Sequence, residues 1–317
     1  MISNKKLKKV LISIIAVILL FLLPFLATKI IYDNIFKRYD CQNITLSDEL
    51  ENIVLTRKNF NYKCKNNDLT GFLYECQKDK KDTLIVLAPG YNACCDSYLW
   101  QIKELLGYGW SVFSFDTTGS CHSEGNSAVG FSQEILDLNA TLDFIESNNR
   151  FNYKNIALFG HSRGGYAVCC SLASDYDISA IISVSGINSA MEGVVGASCK
   201  HIGNIAYANY GFLWLYQSII FGKDIVDMKA DEILSSTDTP ALIIHGANDS
   251  NVPIDKFSII SHKEKIKNKN VEYFVCANPK NSGHTDLLFE QDGTADNTLI
   301  EKINDFLNKS IKQKGLE

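Results

Sequence analysis

Six short apolar runs, at residues 83–88, 111–115, 156–159, 180–184, 241–244 and 271–275, recur along the chain with longer stretches between them. They are too short for core helices and apolar at successive rather than alternate positions, so they read as strands buried on both faces. That is the pattern of a mostly parallel sheet with crossovers. A run at 70–76 reads as an earlier, half-exposed strand. The segments 97–106, 132–146, 163–174, 255–266 and 297–311 read as helices; in the second, Ile135, Leu138, Leu142 and Ile145 fall at helical spacing and Ser132 stands where a cap belongs. Residues 186–229 break the rhythm. Their Gly and aromatic content (Tyr207, Tyr210, Phe212, Trp214, Tyr216, Phe221) reads as a helical insertion whose rings pack as a cap or face a substrate as a lid.

The N-terminus obeys different rules. Lys5, Lys6, Lys8 and Lys9 precede a run without charge from 10 to 28, and about 20 apolar residues cross a hydrocarbon layer of about 30 Å. Such a run is a transmembrane helix or a signal sequence. Phe25 stands where a cleavage site wants a small residue, which favours an uncleaved anchor. The lysine cluster favours leaving that end in the cytoplasm and the rest across the membrane, although Lys29, Lys37 and Arg38 weaken the asymmetry. Pro24 is tolerated near the end of such a helix.

Thirty-one Lys and Arg against 36 Asp and Glu give a net charge of -5, which provides no field for holding a phosphate backbone. Nucleic acid is not an expected partner. All 10 cysteines lie beyond the apolar run. Those at 94–95 and 169–170 are vicinal, and most read as reduced core thiols, with Cys41, Cys64 and Cys76 the best disulfide candidates if the domain faces an oxidising compartment. No CxxC or Cys/His grouping has metal-ligand spacing.

Chemistry concentrates where the run 156–159 meets Gly160-His161-Ser162-Arg163-Gly164-Gly165 and then a helix. In a strand-to-helix turn this sharp, Gly160 and Gly164 must be small, and Ser162 projects its hydroxyl above the sheet at a helix N-terminus. A serine hydroxyl is a weak nucleophile at neutral pH. It requires a base, and the base requires a carboxylate to fix its tautomer. After the strand 241–244 comes Asp249, and after the strand 271–275 comes His284, so the order is Ser, Asp, His. Of the six histidines, His161 lies in the turn, His122 and His245 close earlier strands, His201 lies in the insertion and His262 in a helix. Only His284 follows the last strand, with Asp255 and Asp286 as alternative carboxylates to Asp249. Two amides would face an oxyanion: Arg163 N–H, next to the serine, and Tyr91 N–H, in the Pro89-Gly90-Tyr91-Asn92 turn after the strand 83–88.

At these residues the chain resembles the α/β-hydrolase superfamily, in the bacterial branch of esterases, lipases and aminopeptidase-like enzymes, over roughly residues 82–309. Asp116, Gly119, Ser123 and Gly125 follow that branch's D-x-R-G-x-G-x-S-x-G turn, while Thr118 replaces its arginine and Cys121 its second glycine. Pro89-Gly90 stands where many relatives have His-Gly, and G-x-x-D-x-x-V-P is kept from Gly246 to Pro253. The resemblance implies an α/β-hydrolase fold, a mostly parallel central sheet flanked by helices with a small helical cap. It also implies Ser162 as nucleophile, His284 as base and Asp249 as its orienting acid, with no metal or organic cofactor required.

The expected organisation is a basic cytoplasmic tail at 1–9, a signal-anchor helix at 10–31, a connector at 32–52 and the hydrolase domain at 53–317. Cutting at residue 31 is expected to leave a soluble, active domain. The expected activity is a single-pass cell-membrane serine hydrolase, its catalytic domain outside the cytoplasm, acting on the ester or thioester of a small molecule or lipid. A peptidase or an acyltransferase would use the same three residues. A silent binding fold is the remaining reading, although silent relatives typically lose one of the three.

Overall fold

The computed structural model describes residues 4–41 and 46–315. The chain begins as one long helix: α1 (Asn4–Val17), a π-helical turn (Ile18–Leu22) and α2 (Leu23–Ile35). Pro24 lacks the amide that would close the ladder, and the wider turn just before it takes up the misfit. Over Lys5–Ile35 this helix is long and apolar enough to cross a membrane, and none of its most apolar window is buried against the rest of the chain.

After α3 (Asp48–Thr56) come β1 (Lys58–Cys64), β2 (Asn67–Tyr74) and β3 (Thr83–Ala88). Then follow α4 (Leu99–Gly107), β4 (Ser111–Asp116), α5 (Gln133–Ser147), β5 (Asn155–His161), α6 (Arg163–Cys170) and β6 (Ile178–Val184). The helices α7 (Ala190–Ile202), α8 (Ile205–Ala208), α9 (Tyr210–Phe221), α10 (Lys223–Val226) and α11 (Ala230–Leu234) intervene before β7 (Ala241–Gly246), β8 (Val271–Cys276) and α12 (Asn297–Lys314). The strands form one sheet in the order β1-β2-β4-β3-β5-β6-β7-β8, parallel from β4 to β8 and antiparallel at β1–β2 and β2–β4.

Both faces of the sheet are covered, which is why the central strands carry no polar alternation. On one face Leu84, Val86, Leu158 and Ile243 pack with Ile135, Leu138 and Leu142 of α5 and with α6. On the other, Ile85, Leu87, Phe159 and Ile244 meet Leu99 and Ile102 of α4 and Leu299, Ile303 and Leu307 of α12.

Four readings require correction. The strand 271–275 is not buried on both faces: β8 is the sheet edge, with Tyr273 and Val275 exposed, because among the described residues only β7 pairs with it. The segment 255–266 forms no α-helix but a 3-10 stretch at Ile259–Lys265. Ser132 does not cap α5, since its backbone is already helical and its hydroxyl accepts no amide there. The strand expected at 70–76 spans Asn67–Tyr74 and is largely buried, because β1 covers its outer edge. β1 itself is missing from the apolar-run reading: its inward residues Phe60, Tyr62 and Cys64 alternate with Lys and Asn, as in an edge strand.

A third, smaller core joins the N-terminal helix to the insertion. Tyr32 and Phe36 pack against Met191, Val194, Leu213 and Tyr216. Around them the Thr28 hydroxyl meets Asn209 Oδ1 at 2.9 Å and Tyr32 OH donates to Gln217 Oε1 at 3.3 Å. The next residues, read as a connector, are fastened to the body. Arg38 donates to the Cys121, Ser123 and Gly125 carbonyls at 2.6, 3.0 and 2.8 Å, and Cys41 is disulfide-bonded to Cys121. Cys64 and Cys76, the other disulfide candidates, are buried thiols; each serves as core rather than crosslink.

Candidate active site

The turn between β5 and α6 holds Ser162 at φ 56° and ψ -114°, a conformation costly for a residue with a Cβ. Its neighbours explain the glycines. A Cβ on Gly160 would stand 2.1 Å from the Gly164 carbonyl oxygen, and one on Gly164 would stand 2.1 Å from the Ala88 carbonyl oxygen. Glycine alone lets β5, α6 and the end of β3 approach this closely, and the approach lifts Ser162 above the strand ends.

Loops after β7 and β8 bring the other two groups to it. His284 Nε2 lies 2.8 Å from Ser162 Oγ, and His284 Nδ1 lies 2.7 Å from Asp249 Oδ2. Asp249 Oδ1 accepts the Asn251 and Val252 amides, both at 2.8 Å. His245 Nε2 stands 3.2 Å from Oδ2 and 2.9 Å from the Val252 carbonyl. Burial works to raise the Asp249 pKa, but hydrogen bonds from His245 and His284, the His284 charge and the Val252 amide outweigh it. They hold the carboxyl well below its ordinary value. Asp255 and Asp286, the alternative carboxylates, are exposed. An ionised Asp249 fixes the Nδ1–H tautomer of His284 and leaves Nε2 as the acceptor facing the serine.

His161 has a supporting position beneath this line. Its Nε2 lies 3.0 Å from the His284 carbonyl and its Nδ1 3.0 Å from Tyr98 OH, whose oxygen also accepts the Gly90 amide at 2.8 Å. The carbonyl only accepts, so His161 donates from Nε2 and Tyr98 donates to Nδ1. Full burial, with the neighbouring His284 charge, pushes the His161 pKa down to about 3, so the imidazole is neutral. Ser185 Oγ donates to the same His284 carbonyl at 3.0 Å.

Tyr91 and Arg163 both line the cleft beside Ser162. The Arg163 side chain turns inward, where it pairs with Glu134 at 2.7 Å, donates to Thr117 Oγ1 at 2.9 Å and faces the Tyr91 ring at 5.8 Å. The cleft measures about 550 Å³, and Phe131, Ile187, Val252, Phe257 and Leu288 make much of its wall apolar. Helix α7 contributes Gly193, Gly196 and Ala197, and Glu192 is its acidic member.

The structure brings together every residue expected at the site: Ser162, Asp249, His284, Tyr91, Arg163 and the turn residues Gly160, His161 and Gly164. Tyr98, Ser185, His245 and Glu134 were not anticipated. Of these only His245, four residues before Asp249 at the end of the same strand, left a sequence signal. His122 lies apart, with Nδ1 2.7 Å from Asp116, and His262 lies 3.1 Å from Asp231. The His201 side chain lies outside the described residues. Two groups of metal-ligand type occur among the described residues: Cys41, Cys94 and Cys121, and Cys41, Asp116 and His122, each within 4.8 Å. Both require the Cys41 sulfur, which the disulfide to Cys121 occupies.

Sheet order, crossovers and a serine in the turn between strand and helix define the α/β-hydrolase fold, and the chain has that fold. The family described as Serine aminopeptidase, S33 matches residues 79–202. Among solved structures, an esterase of Pyrococcus furiosus superposes with a TM-score of 0.64 at 20% identity, over 86% of this chain and 98% of the other. Est1E of Butyrivibrio proteoclasticus, solved with ferulic acid bound, gives 0.58 at 16% identity over 80% and 99%. A membrane phospholipase A, described as a bacterial virulence factor, gives 0.55 at 13% identity over 97% and 98%. No curated protein sequence matches the chain.

Proposed function

We propose that the protein is a membrane-anchored serine hydrolase that cleaves a carboxylic ester or thioester through an acyl-enzyme. The observation that carries the reading is the hydrogen-bonded line from Asp249 through His284 to Ser162, at 2.7 and 2.8 Å. Ser162 Oγ attacks the acyl carbon while His284 Nε2 takes its proton, and Asp249 stabilises the imidazolium. The carbonyl oxygen becomes an oxyanion facing the Tyr91 and Arg163 amides, each such donor worth about 3 kcal/mol in a dry site. Collapse breaks the bond to the leaving oxygen or sulfur, which receives the proton from His284. Water, deprotonated by the same imidazole, then releases the acid.

The long N-terminal helix and its flanking lysines support a single-pass anchor with the catalytic domain outside the cytoplasm. The Cys41–Cys121 disulfide agrees with an oxidising compartment. Amide hydrolysis is the second reading. Glu192, which lines the cleft and has a buried, unpartnered Oε2, would face a substrate amine.

Labelling by a fluorophosphonate probe, compared between the native chain and Ser162→Ala, tests the nucleophile. Labelling should vanish in the variant, together with hydrolysis of p-nitrophenyl esters. Aminoacyl p-nitroanilides, tried in parallel, separate ester from amide preference. A folded native chain that neither labels nor hydrolyses any of these substrates would refute the reading.

A further inference from the structure

Helix α9, Tyr210–Phe221, is apolar nearly all round, with Gln217 and Ser218 as its polar interruptions. A water-soluble helix of this composition is buried on every side. Here one face is buried, through Leu213, Tyr216 and Gln217, while Leu215 and Ile219, one turn apart, stand exposed on the other. Ile219 is 66% exposed and Ile205, on the neighbouring α8, is 67% exposed; Tyr207 and Tyr210 are exposed between them.

The N-terminal helix supplies a ruler for this surface. From Lys9 to Lys29 the helix rises about 30 Å, the thickness of a hydrocarbon core, at about 1.5 Å per residue. The membrane boundary therefore falls near Lys29, which pairs with Asp33 one turn further on. Asn209 of the cap is hydrogen-bonded to Thr28, and Tyr216 OH donates to Asp33 Oδ1. These bonds hold α8 and α9 within about two turns of the boundary, beside the exposed Ile30 and Ile31.

We infer that the exposed face of α8 and α9, built from Ile205, Tyr207, Tyr210, Leu215 and Ile219, lies in the interfacial layer of the bilayer, and that the substrate is an acyl ester resident in that bilayer. The inference rests on the anchored-hydrolase reading and deepens it. Tyrosines at this level match the usual preference of amphipathic rings for the headgroup region. Between α2 and the cap runs an apolar groove of about 330 Å³, lined by Thr28, Ile31, Ile35, Val194, Ser198 and Leu213. Val194 and Ser198 belong to α7, whose Gly193, Gly196 and Ala197 line the catalytic cleft. Helix α7 thus borders both the bilayer-side groove and the Ser162 cleft, and it presents only Gly193, Gly196 and Ala197 beside Glu192 to the cleft.

The test uses the full chain reconstituted in phosphatidylcholine vesicles. In Ile219→Trp, the added fluorescence should be quenched strongly when the vesicles contain phosphatidylcholine brominated on its acyl chains. In Leu55→Trp, at a 79% exposed position of α3, it should be barely quenched. Equal, weak quenching in the two variants overturns the inference, as does release of the chain from vesicles by alkaline carbonate. Leu215→Asp combined with Ile219→Asp should lower hydrolysis of vesicle phosphatidylcholine at least ~10-fold while p-nitrophenyl butyrate is cleaved within ~2-fold of the native rate; at these factors the loss lies well outside the ordinary scatter of surface substitutions. Parallel loss of both activities, or conversion of a native dimer to a monomer by the same pair, would assign the face to folding or to a second copy and overturn the inference. Absence of p-nitrophenyl butyrate cleavage by the native chain would instead refute the hydrolase reading, and the quenching would still decide where the cap lies.

Discussion

The Tyr91 hydroxyl donates to the Ile35 carbonyl, joining the turn at the mouth of the cleft to the last residue of α2. Phe36 continues the link, edge-on to Tyr91 at 5.4 Å and to Phe131 at 5.2 Å. The N-terminal helix is therefore two things along its length, a bare apolar rod up to about Leu23 and, beyond it, a support packed behind Tyr91 and Phe131 of the cleft wall.

That division changes where the chain can be cut. A chain starting at Leu23 should unfold at the same denaturant concentration as the full chain and keep its esterase rate. One starting at residue 37 loses Tyr32 and Phe36, each 1% exposed, and should be less stable by at least about 3 kcal/mol, the lower range for deleting one buried aromatic side chain. The cut at residue 31 suggested by the apolar run alone leaves Tyr32 on a fraying end without the Thr28–Asn209 bond, and should fall between the two. Equal urea midpoints for the chains starting at 23 and 37 would contradict the packing described.

Asp249→Asn should leave the fold intact and lower kcat by about 10³- to 10⁴-fold, with KM little changed, because an amide at 249 can present its NH₂ to Nδ1 and stabilise the wrong tautomer. Steady-state kinetics with p-nitrophenyl butyrate measure this. A loss below tenfold would mean that another carboxylate orients His284.

The central strands and the turn that holds Ser162 were legible in the sequence for one physical reason: both are fixed locally. A strand buried on two faces must be apolar at every position, and a serine at this strained turn needs small residues two positions to either side, here Gly160 and Gly164. β1 and β8 escaped or misled that reading because their burial depends on which strand lies beside them. Tyr98 and Ser185 were invisible because they act through the His284 backbone and His161, contacts made only once β5, β6 and the last loop converge. Cys41 was recognisable as a candidate for a disulfide, but its partner Cys121 occupies a glycine position of the loop motif, 80 residues away. Nothing in spacing pairs them.

The disulfide clasps residues 32–41 against the Gly119–Gly125 loop, where Arg38 and the Tyr39 backbone already dock. Closing a loop of 80 residues stabilises a fold by about 2–4 kcal/mol, chiefly through the unfolded chain. Cys41→Ser should show a loss of that size in urea unfolding under oxidising conditions and none relative to the native chain in excess dithiothreitol. A native chain whose stability is indifferent to dithiothreitol would show that the bond contributes nothing.

His161 makes stability depend on acid in a defined window. Its pKa lies near 3 in the folded chain because burial excludes the charged form, against about 6.5 when unfolded. As pH falls from 6.5 towards 3, the unfolded chain binds a proton at this position that the folded chain refuses, so stability declines by up to about 1.4 kcal/mol per pH unit. Asp249, with a depressed folded pKa, adds its own loss only once the pH nears the ordinary carboxylate value of 3.8. Between pH 6 and 4.5 the two contributions separate. His161→Gln retains an amide able to donate to the His284 carbonyl but cannot take up a proton, so its urea-derived stability should fall less steeply across that interval, by close to one proton's worth of slope. Parallel pH profiles for the native chain and His161→Gln would mean that His161 titrates alike in both states, and the buried neutral imidazole linking Tyr98 to His284 would have to be abandoned.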